Sequence, residues 1–180
     1  MPVLLQNRQR AVAVDCAWLG RTAEAVLSAA HARAAELSLV LVSDRRMRAL
    51  NQRYRKKDRP TDVLAFPMYE SWPLKRWSVA PAASVAAKSP WKGRVPARPG
   101  RAGAMASRVP MLLGDVVISM PTAKRQAAAL GHSLRDEVAR LLVHGVLHLL
   151  GYDHERSERD ALLMARKEKT VLRAVARQGR

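Results

Sequence analysis

Two histidines lie four residues apart inside an apolar run near the C-terminal end of this 180-residue chain. They are His144 and His148, and Gly151 and a third histidine, His154, follow them. Residues i and i+4 lie on the same face of a helix, so the first two imidazoles point in one direction. A glycine at position 151 allows the positive φ that ends a helix and turns the chain back, which brings the third imidazole toward the other two.

Three neutral imidazoles that converge on one point, with one position left open to water, form the ligand set of a catalytic zinc site. A lone histidine on an apolar helix is more often a satisfied core residue. Three of the chain's five histidines lie in this segment, however, and burying them without partners would carry a desolvation cost for each. We therefore predict one zinc ion per chain, bound by His144, His148 and His154.

The spacing also matches the metalloprotease pattern H-E-x-x-H-x-x-G-x-x-H, with one difference. Gly145 occupies the position of the glutamate that acts as the general base in those proteases. Such a helix can bind zinc but lacks the protease's base. The pattern therefore disfavours a peptidase and indicates another substrate.

Charge and composition narrow the class of protein further. The 32 Lys and Arg residues against 15 Asp and Glu give a net charge of +17, which favours nucleic acid, although arginine-rich composition also arises from genome-wide bias. The single cysteine, Cys16, excludes both an internal disulfide framework and a cysteine-based zinc site. No apolar run approaches the roughly 18 residues of a membrane span, so we expect a soluble, cytoplasmic protein without membrane contact.

Hydrophobic periodicity predicts an α+β fold, in which about four strands form one small sheet and helices pack on it around a central metal-binding helix. Strands are predicted at 3–6, 37–42, 62–66 and 111–119. Helices are predicted over about 15–36, 44–54, 121–129, 133–150 and 155–177, with His31 on the first. A bulge or a close backbone approach is expected at Gly114.

One domain is predicted to span residues 1–180, with an interruption at about 70–110. That segment contains six of the ten prolines, three of the four tryptophans and a net charge of +7, and it shows no periodicity. A packed domain rarely contains so long a structureless loop, so we interpret the segment as a disordered basic insertion.

Three segments carry a resemblance to a known family. Residues 50–67 read L-N-Q-R-Y-R-K-K-D-R-P-T-D-V-L-A-F-P, residues 113–119 read L-G-D-V-V-I-S, and residues 144–154 carry the histidine pattern with glycine after the first histidine. These segments resemble the YbeY family of bacterial rRNA maturation factors, which are single-strand-specific metallo-endoribonucleases. The chain differs at Ala65, where serine is common, and in the length of the 70–110 segment.

The resemblance implies zinc-dependent hydrolysis of RNA phosphodiesters in 16S rRNA 3′ end maturation and late-stage ribosome quality control. It implies that Arg55 contacts the RNA phosphate, a contact that a guanidinium makes well. Help from Lys57 in offsetting charge at the phosphate is our hypothesis. Single-stranded rRNA and the ribosome or small-subunit proteins are the implied partners. The general base is unassigned, and the candidates are Asp62, Asp115, Asp153 and Glu155.

Two of these residues, Asp115 and Asp153, are equally candidates for orienting a ligating histidine. Attack by the RNA's own 2′-OH also stays open. Two alternative functions remain at this stage: a metallohydrolase of another substrate such as peptide, and a non-catalytic ribosome assembly factor with a structural zinc.

Overall fold

The computed structural model describes residues 3–68, 111–154 and 157–178. The predicted 70–110 insertion lies outside these residues. In chain order the described elements are β1 (Val3–Asn7), α1 (Cys16–Ala29), β2 (Ala35–Val42), α2 (Asp44–Arg55), β3 (Val63–Pro67), β4 (Met111–Ser119), α3 (Met120–Leu130), α4 (Leu134–Leu149) and α5 (Glu158–Gln178). The predicted α+β fold with one four-stranded sheet is confirmed.

The sheet has the strand order β1-β2-β4-β3. Strands β1, β2 and β4 run parallel, and β3 pairs antiparallel with β4. The register between β2 and β4 shifts at Glu36 and Leu37, opposite Gly114. Gly114 has φ +144°, and a Cβ on it would lie 2.3 Å from the Phe66 carbonyl oxygen, so the expected bulge with close backbone approach is confirmed.

The central strands are buried on both faces because helices cover both sides of the sheet. On one face, strand residues such as Leu39 and Val116 form the larger apolar core with α1, α4 and α5. On the other face, Val40 and Val117 pack with Met47 of α2 in a smaller core. Helix α4, which carries His144 and His148, lies within the larger core and is central as predicted.

The first helix is shorter than the sequence suggested. It ends at Ala29, His31 lies in a turn with φ +61°, and the chain enters β2 at Ala35. The predicted helix over 15–36 and the placement of His31 on it were therefore wrong, and the His31 side chain is exposed. The alanines favour helix, but pairing of 35–42 with two neighbouring strands buries Leu37 and its neighbours and overrides that propensity.

The last helix, α5, packs against α1 and α4. Its residues Met164 and Val171 are buried in the larger core, and Glu168 lies on the same stripe because the three follow i, i+4, i+7 spacing. The predicted start near residue 155 was early, since the helix begins at Glu158. Among the described helices, none combines the length and apolar composition needed to cross a bilayer.

The carboxylate of Asp44 links the start of α2 to the start of α3 through hydrogen bonds and an ion pair. Asp44 accepts hydrogen bonds from Ser119 Oγ at 2.5 Å and Thr122 Oγ1 at 2.7 Å, and it pairs with Arg125 at 2.8 Å. Burial raises the pKa of Asp44, but these donors outweigh burial and hold the pKa below its ordinary value. The cluster fixes the direction of α2, whose last residue is Arg55.

Candidate metal centre

The local sequence explains where α4, the helix that carries His144 and His148, begins and ends. Ser133 is the N-cap of α4, and its Oγ accepts from the Asp136 N–H at 3.1 Å. At the other end Gly151, with φ +90°, donates its N–H to the His148 carbonyl at 3.0 Å. This turn reverses the chain and brings His154 back toward α4, as the glycine predicted.

The three histidines converge as the spacing suggested. One ligand atom from each of His144, His148 and His154 lies within 4.8 Å of the others. The Nε2 atoms of His144 and His148 are 3.1 Å apart. Two imidazole nitrogens that bind one tetrahedral zinc ion at 2.0–2.1 Å lie about 3.3 Å apart, so this pair of histidines fits a metal ion with little movement.

A carboxylate from α5 fixes the orientation of the first histidine. Glu168 Oε1 lies 2.6 Å from His144 Nδ1, and both side chains are about one-quarter exposed. The hydrogen bond with His144 lowers the pKa of Glu168 below its ordinary value, so the carboxylate is ionised and accepts the proton on Nδ1. That leaves the Nε2 lone pair of His144 facing His148, as a metal ligand requires.

The second histidine is held in its neutral form. Burial lowers the pKa of His148 below its ordinary value, and the neighbouring imidazoles His144 and His154 lower it further. Neutral imidazole is the form that binds a metal ion. The donor set, its spacing and the neutral form of His148 therefore all fit a metal ion such as zinc.

The three histidines border an open cleft of about 490 Å³. Its walls come from β3, from the exposed side of α4 and from the turn that follows α4, and Arg55 lies among the residues that border it. A smaller groove of about 360 Å³ adjoins the cleft, shares Arg55 and Asp62 with it, and contains Lys57. An extended polymer therefore has room to pass the histidines and reach the basic residues after α2.

Comparison with known proteins places this geometry in a family. The family model described as Endoribonuclease YbeY matches residues 4–176. The chain belongs to the endoribonuclease YbeY family. It is 44% identical over 176 residues to Endoribonuclease YbeY of Pelotomaculum thermopropionicum, covering 96% of this chain and 95% of that protein. It is 39% identical over 170 residues to Endoribonuclease YbeY of Aquifex aeolicus, covering 94% and 89%.

A solved structure shares the fold of this YbeY family member. The solution structure of a Thermotoga maritima protein superposes with a TM-score of 0.57 at 20% identity, covering 96% of this chain and 88% of that one. At this level of identity the similarity concerns the fold alone.

In this YbeY chain the glycine after the first histidine has a packing role. A Cβ on Gly145 would lie 2.8 Å from Val116 Cγ1 and 3.4 Å from Val63 Cγ2. The absence of a side chain lets α4 approach the sheet closely, which carries His144 and His148 to the edge of β3. A glutamate at this position, as in the metalloprotease pattern, would collide with buried β4.

The loop that leads from α2 to β3 is fixed from both ends. Lys56 ends α2 in a left-handed conformation, and buried Asn51 donates its Nδ2 to the Arg59 carbonyl at 2.7 Å. Arg55 is exposed at the border of the cleft, where the resemblance to the YbeY family predicted a phosphate contact. The structure thus brings Arg55 and the three histidines to one cleft.

The four carboxylates considered as general bases lie in different places. Asp62 and Asp153 border the cleft, Asp115 is buried on β4 and does not border it, and Glu155 lies outside the described residues. Burial raises the pKa of Asp62, but hydrogen bonds from Gln126, the Val63 N–H and Thr61 hold it below its ordinary value. Such a carboxylate is a weak base, which makes Asp62 the poorer candidate of the two.

Two carboxylates that pair with histidines were not predicted. Glu168 bonds to His144, and the signal for it was a charged residue on the buried stripe of Met164 and Val171. Glu137 of α4 is fully buried and pairs with Arg140 at 2.5 Å and His132 at 3.2 Å. Its only signal was its position on the core face of α4.

Proposed function

We propose that this chain is a single-strand-specific, zinc-dependent endoribonuclease that acts in 16S rRNA 3′ end maturation and in late-stage ribosome quality control. The observation that carries the proposal is the cluster of three imidazoles, oriented by Glu168 and open to a cleft, in a chain of the endoribonuclease YbeY family. The proposed substrate is single-stranded rRNA, and the ribosome or small-subunit proteins are the proposed partners. The cytoplasmic location and the single domain over 1–180 stay predictions.

One zinc ion per chain is proposed to bind His144, His148 and His154. When bound, it would lower the pKa of a coordinated water toward about 7 or polarise a phosphate oxygen. Structural zinc sites usually close with four protein ligands, whereas these three histidines border an open cleft. This difference supports catalysis over a purely structural role.

The chain's own residues have separate proposed tasks in phosphodiester hydrolysis. Glu168 keeps the proton on His144 Nδ1, so that Nε2 faces the cluster. Arg55 would bind the phosphate at the scissile bond, because a planar guanidinium donates two parallel hydrogen bonds to phosphate oxygens and offsets charge that develops there. Asp153 is the cleft carboxylate we would test first as proton acceptor, and attack by the RNA 2′-OH is the alternative route to the same bond.

The competing functions are disfavoured by specific features. A peptidase of the metalloprotease type needs the glutamate that Gly145 replaces, and the packing of Gly145 on Val116 leaves no room for one. A non-catalytic assembly factor would need neither an open cleft beside the histidines nor a cation at its border.

The test is cleavage of one labelled RNA offered as a single strand and as a duplex, before and after chelation and after zinc is restored. We expect zinc-dependent cutting of the single strand and loss of cutting in His144→Ala and Arg55→Ala. His31→Asn is the matched control for loss of an imidazole, because His31 is exposed in the turn after α1. Cutting that survives in His144→Ala while the stability of the protein falls would indicate a structural metal. Tight RNA binding without any cutting would favour the assembly factor.

A further inference from the structure

The strand that borders the cleft is an edge strand within the described sheet. In the order β1-β2-β4-β3, strand β3 pairs with β4 on one side. Residues of β3, among them Val63, Ala65 and Pro67, border the cleft together with the three histidines. Within residues 3–68, 111–154 and 157–178, the free edge of the sheet therefore runs along the wall of the proposed active site.

The register shows which backbone groups face this free edge. The Ser119 N–H donates to the Asp62 carbonyl at 2.8 Å, and the Met68 N–H donates to the Leu113 carbonyl at 3.2 Å. In an antiparallel pair, hydrogen-bonded residues alternate along the strand, so positions 62, 64, 66 and 68 face β4. Positions 63, 65 and 67 therefore direct their N–H and C=O groups away from β4.

Among those three positions, Ala65 offers both a donor and an acceptor. Pro67 has no N–H, and the Val63 N–H already donates to Asp62 Oδ1 at 2.9 Å. The N–H and C=O of Ala65 lie next to each other on the same edge, and the described residues supply no hydrogen-bond partner for either. An edge residue with both groups available is a ready site for a ligand that carries a matching acceptor and donor.

We propose that the backbone of Ala65 binds the pairing edge of one unpaired nucleobase in the RNA substrate. Each nucleobase carries a hydrogen-bond donor next to an acceptor on its Watson–Crick edge, and proteins read that edge in single-stranded RNA. In a duplex the partner base occupies the same edge. The subsite therefore accepts a single strand and rejects a duplex without selecting a particular base.

This subsite rests on the proposed ribonuclease function and adds the source of its strand specificity. A sheet edge also accepts an extended peptide. The basic residues along the cleft and the adjoining groove, Arg55 and Lys57, favour a polyanion instead. The net charge of +17 and membership in the endoribonuclease YbeY family favour the same occupant.

The test combines a backbone change with a change in the RNA. Ala65→Pro removes the outward N–H and leaves the bonds to β4 intact, and edge strands tolerate proline at such positions. Single abasic nucleotides are placed in turn along a short single-stranded RNA around its cleavage site, and KM and kcat are measured for each. One neutral hydrogen bond contributes enough to change KM by about 2- to 10-fold.

We expect Ala65→Pro, which removes one hydrogen bond, to raise KM by that factor on intact RNA. One abasic position, which removes both hydrogen bonds, should raise KM in the unmodified protein by at least as much. On the RNA that is abasic at that position, Ala65→Pro should not raise KM further. On an RNA whose abasic nucleotide lies far from the cleavage site, Ala65→Pro should raise KM as much as it does on intact RNA. Equal losses for Ala65→Pro on all RNAs, or unchanged KM, would overturn the subsite.

The abasic series measured with the unmodified protein does not depend on how well Ala65→Pro folds. If no abasic position in that series raises KM, that result alone refutes the subsite. An extended peptide that competes with RNA, and whose binding Ala65→Pro abolishes, would assign this edge to peptide and overturn the proposal. Failure of the unmodified protein to cut any RNA would instead refute the proposed function.

Discussion

Glu168 is predicted to set the metal affinity of the three-histidine cluster without binding the metal itself. Its Oε1 atom lies 2.6 Å from His144 Nδ1, which makes a short, charge-assisted hydrogen bond. The bond fixes the imidazole orientation and makes its Nε2 a stronger electron donor. Replacing Glu168 should therefore weaken zinc binding while the three ligands remain in place.

The expected magnitude follows from the environment of the pair. Loss of a carboxylate partner of a ligating histidine typically weakens metal binding about 10- to 100-fold, or about 1.4–2.8 kcal/mol. Glu168→Gln keeps a neutral acceptor for the Nδ1 proton and removes the charge, so we expect about the lower limit. Glu168→Ala removes both and should approach the upper limit, because the two side chains are only about one-quarter exposed.

The assay is a competition titration of each purified variant against a chromophoric zinc chelator. Glu158→Gln is the charge-matched control, since it removes one carboxylate from the exposed first turn of the same helix. Thermal unfolding of the metal-free proteins checks that each variant is folded. A zinc affinity of Glu168→Ala indistinguishable from that of the unmodified protein would refute the role assigned to this hydrogen bond.

Three further predictions concern stability. Gly114→Ala should strongly lower the midpoint temperature of thermal unfolding, because its Cβ would lie 2.3 Å from the Phe66 backbone oxygen at a φ of +144°. A midpoint temperature equal to that of the parent within error would contradict this prediction. Gly145→Ala should lower the free energy of unfolding in urea by about 1 kcal/mol net, because overpacking against Val116 exceeds the gain in helix propensity. A gain in stability would argue against the close packing. The pKa of Asp44 is lowered in the folded state, so its ionised form stabilises the fold above about pH 4, and that contribution is lost as pH falls through the lowered value. Asp44→Asn should therefore be less stable than the parent at neutral pH, with a difference that shrinks in urea titrations below about pH 4.

The helix that carries His144 and His148 could be predicted from sequence because each of its features is local. The i, i+4 spacing of His144 and His148 and the glycine at 151 act within a few residues, and the structure brings the three histidines together as that spacing suggested. The end of α1 depended instead on distant strands. Residues 35–36 continue an alanine-rich helical pattern, but they pair with β4 and form the start of β2.

The partner of His144 shows a second limit of sequence reasoning. Asp115 and Asp153 were considered for orienting a histidine because they lie near the motif segments in the chain. Glu168 lies 24 residues after His144 and makes the contact because α5 packs on α4. Helix spacing places Glu168 on a buried stripe, but only the packing of the two helices shows which histidine it meets.

The availability of Ala65 is a property of topology that no local pattern contains. Among the described residues its N–H and C=O have no hydrogen-bond partner, because β3 is the outer strand of the described sheet and because the register with β4 pairs the even-numbered positions of β3. A shift of one residue would exchange the two sets of backbone groups. The departure from serine at position 65 therefore leaves these backbone groups unaltered.

The zinc content of the purified protein, measured by mass spectrometry alongside that of His148→Ala, tests the central claim most directly. We predict about one zinc per chain in the unmodified protein and a loss of bound zinc in the variant, with zinc retained in the His31→Asn control. Stoichiometric zinc in a folded His148→Ala protein would contradict the assignment of the three histidines as the metal ligands.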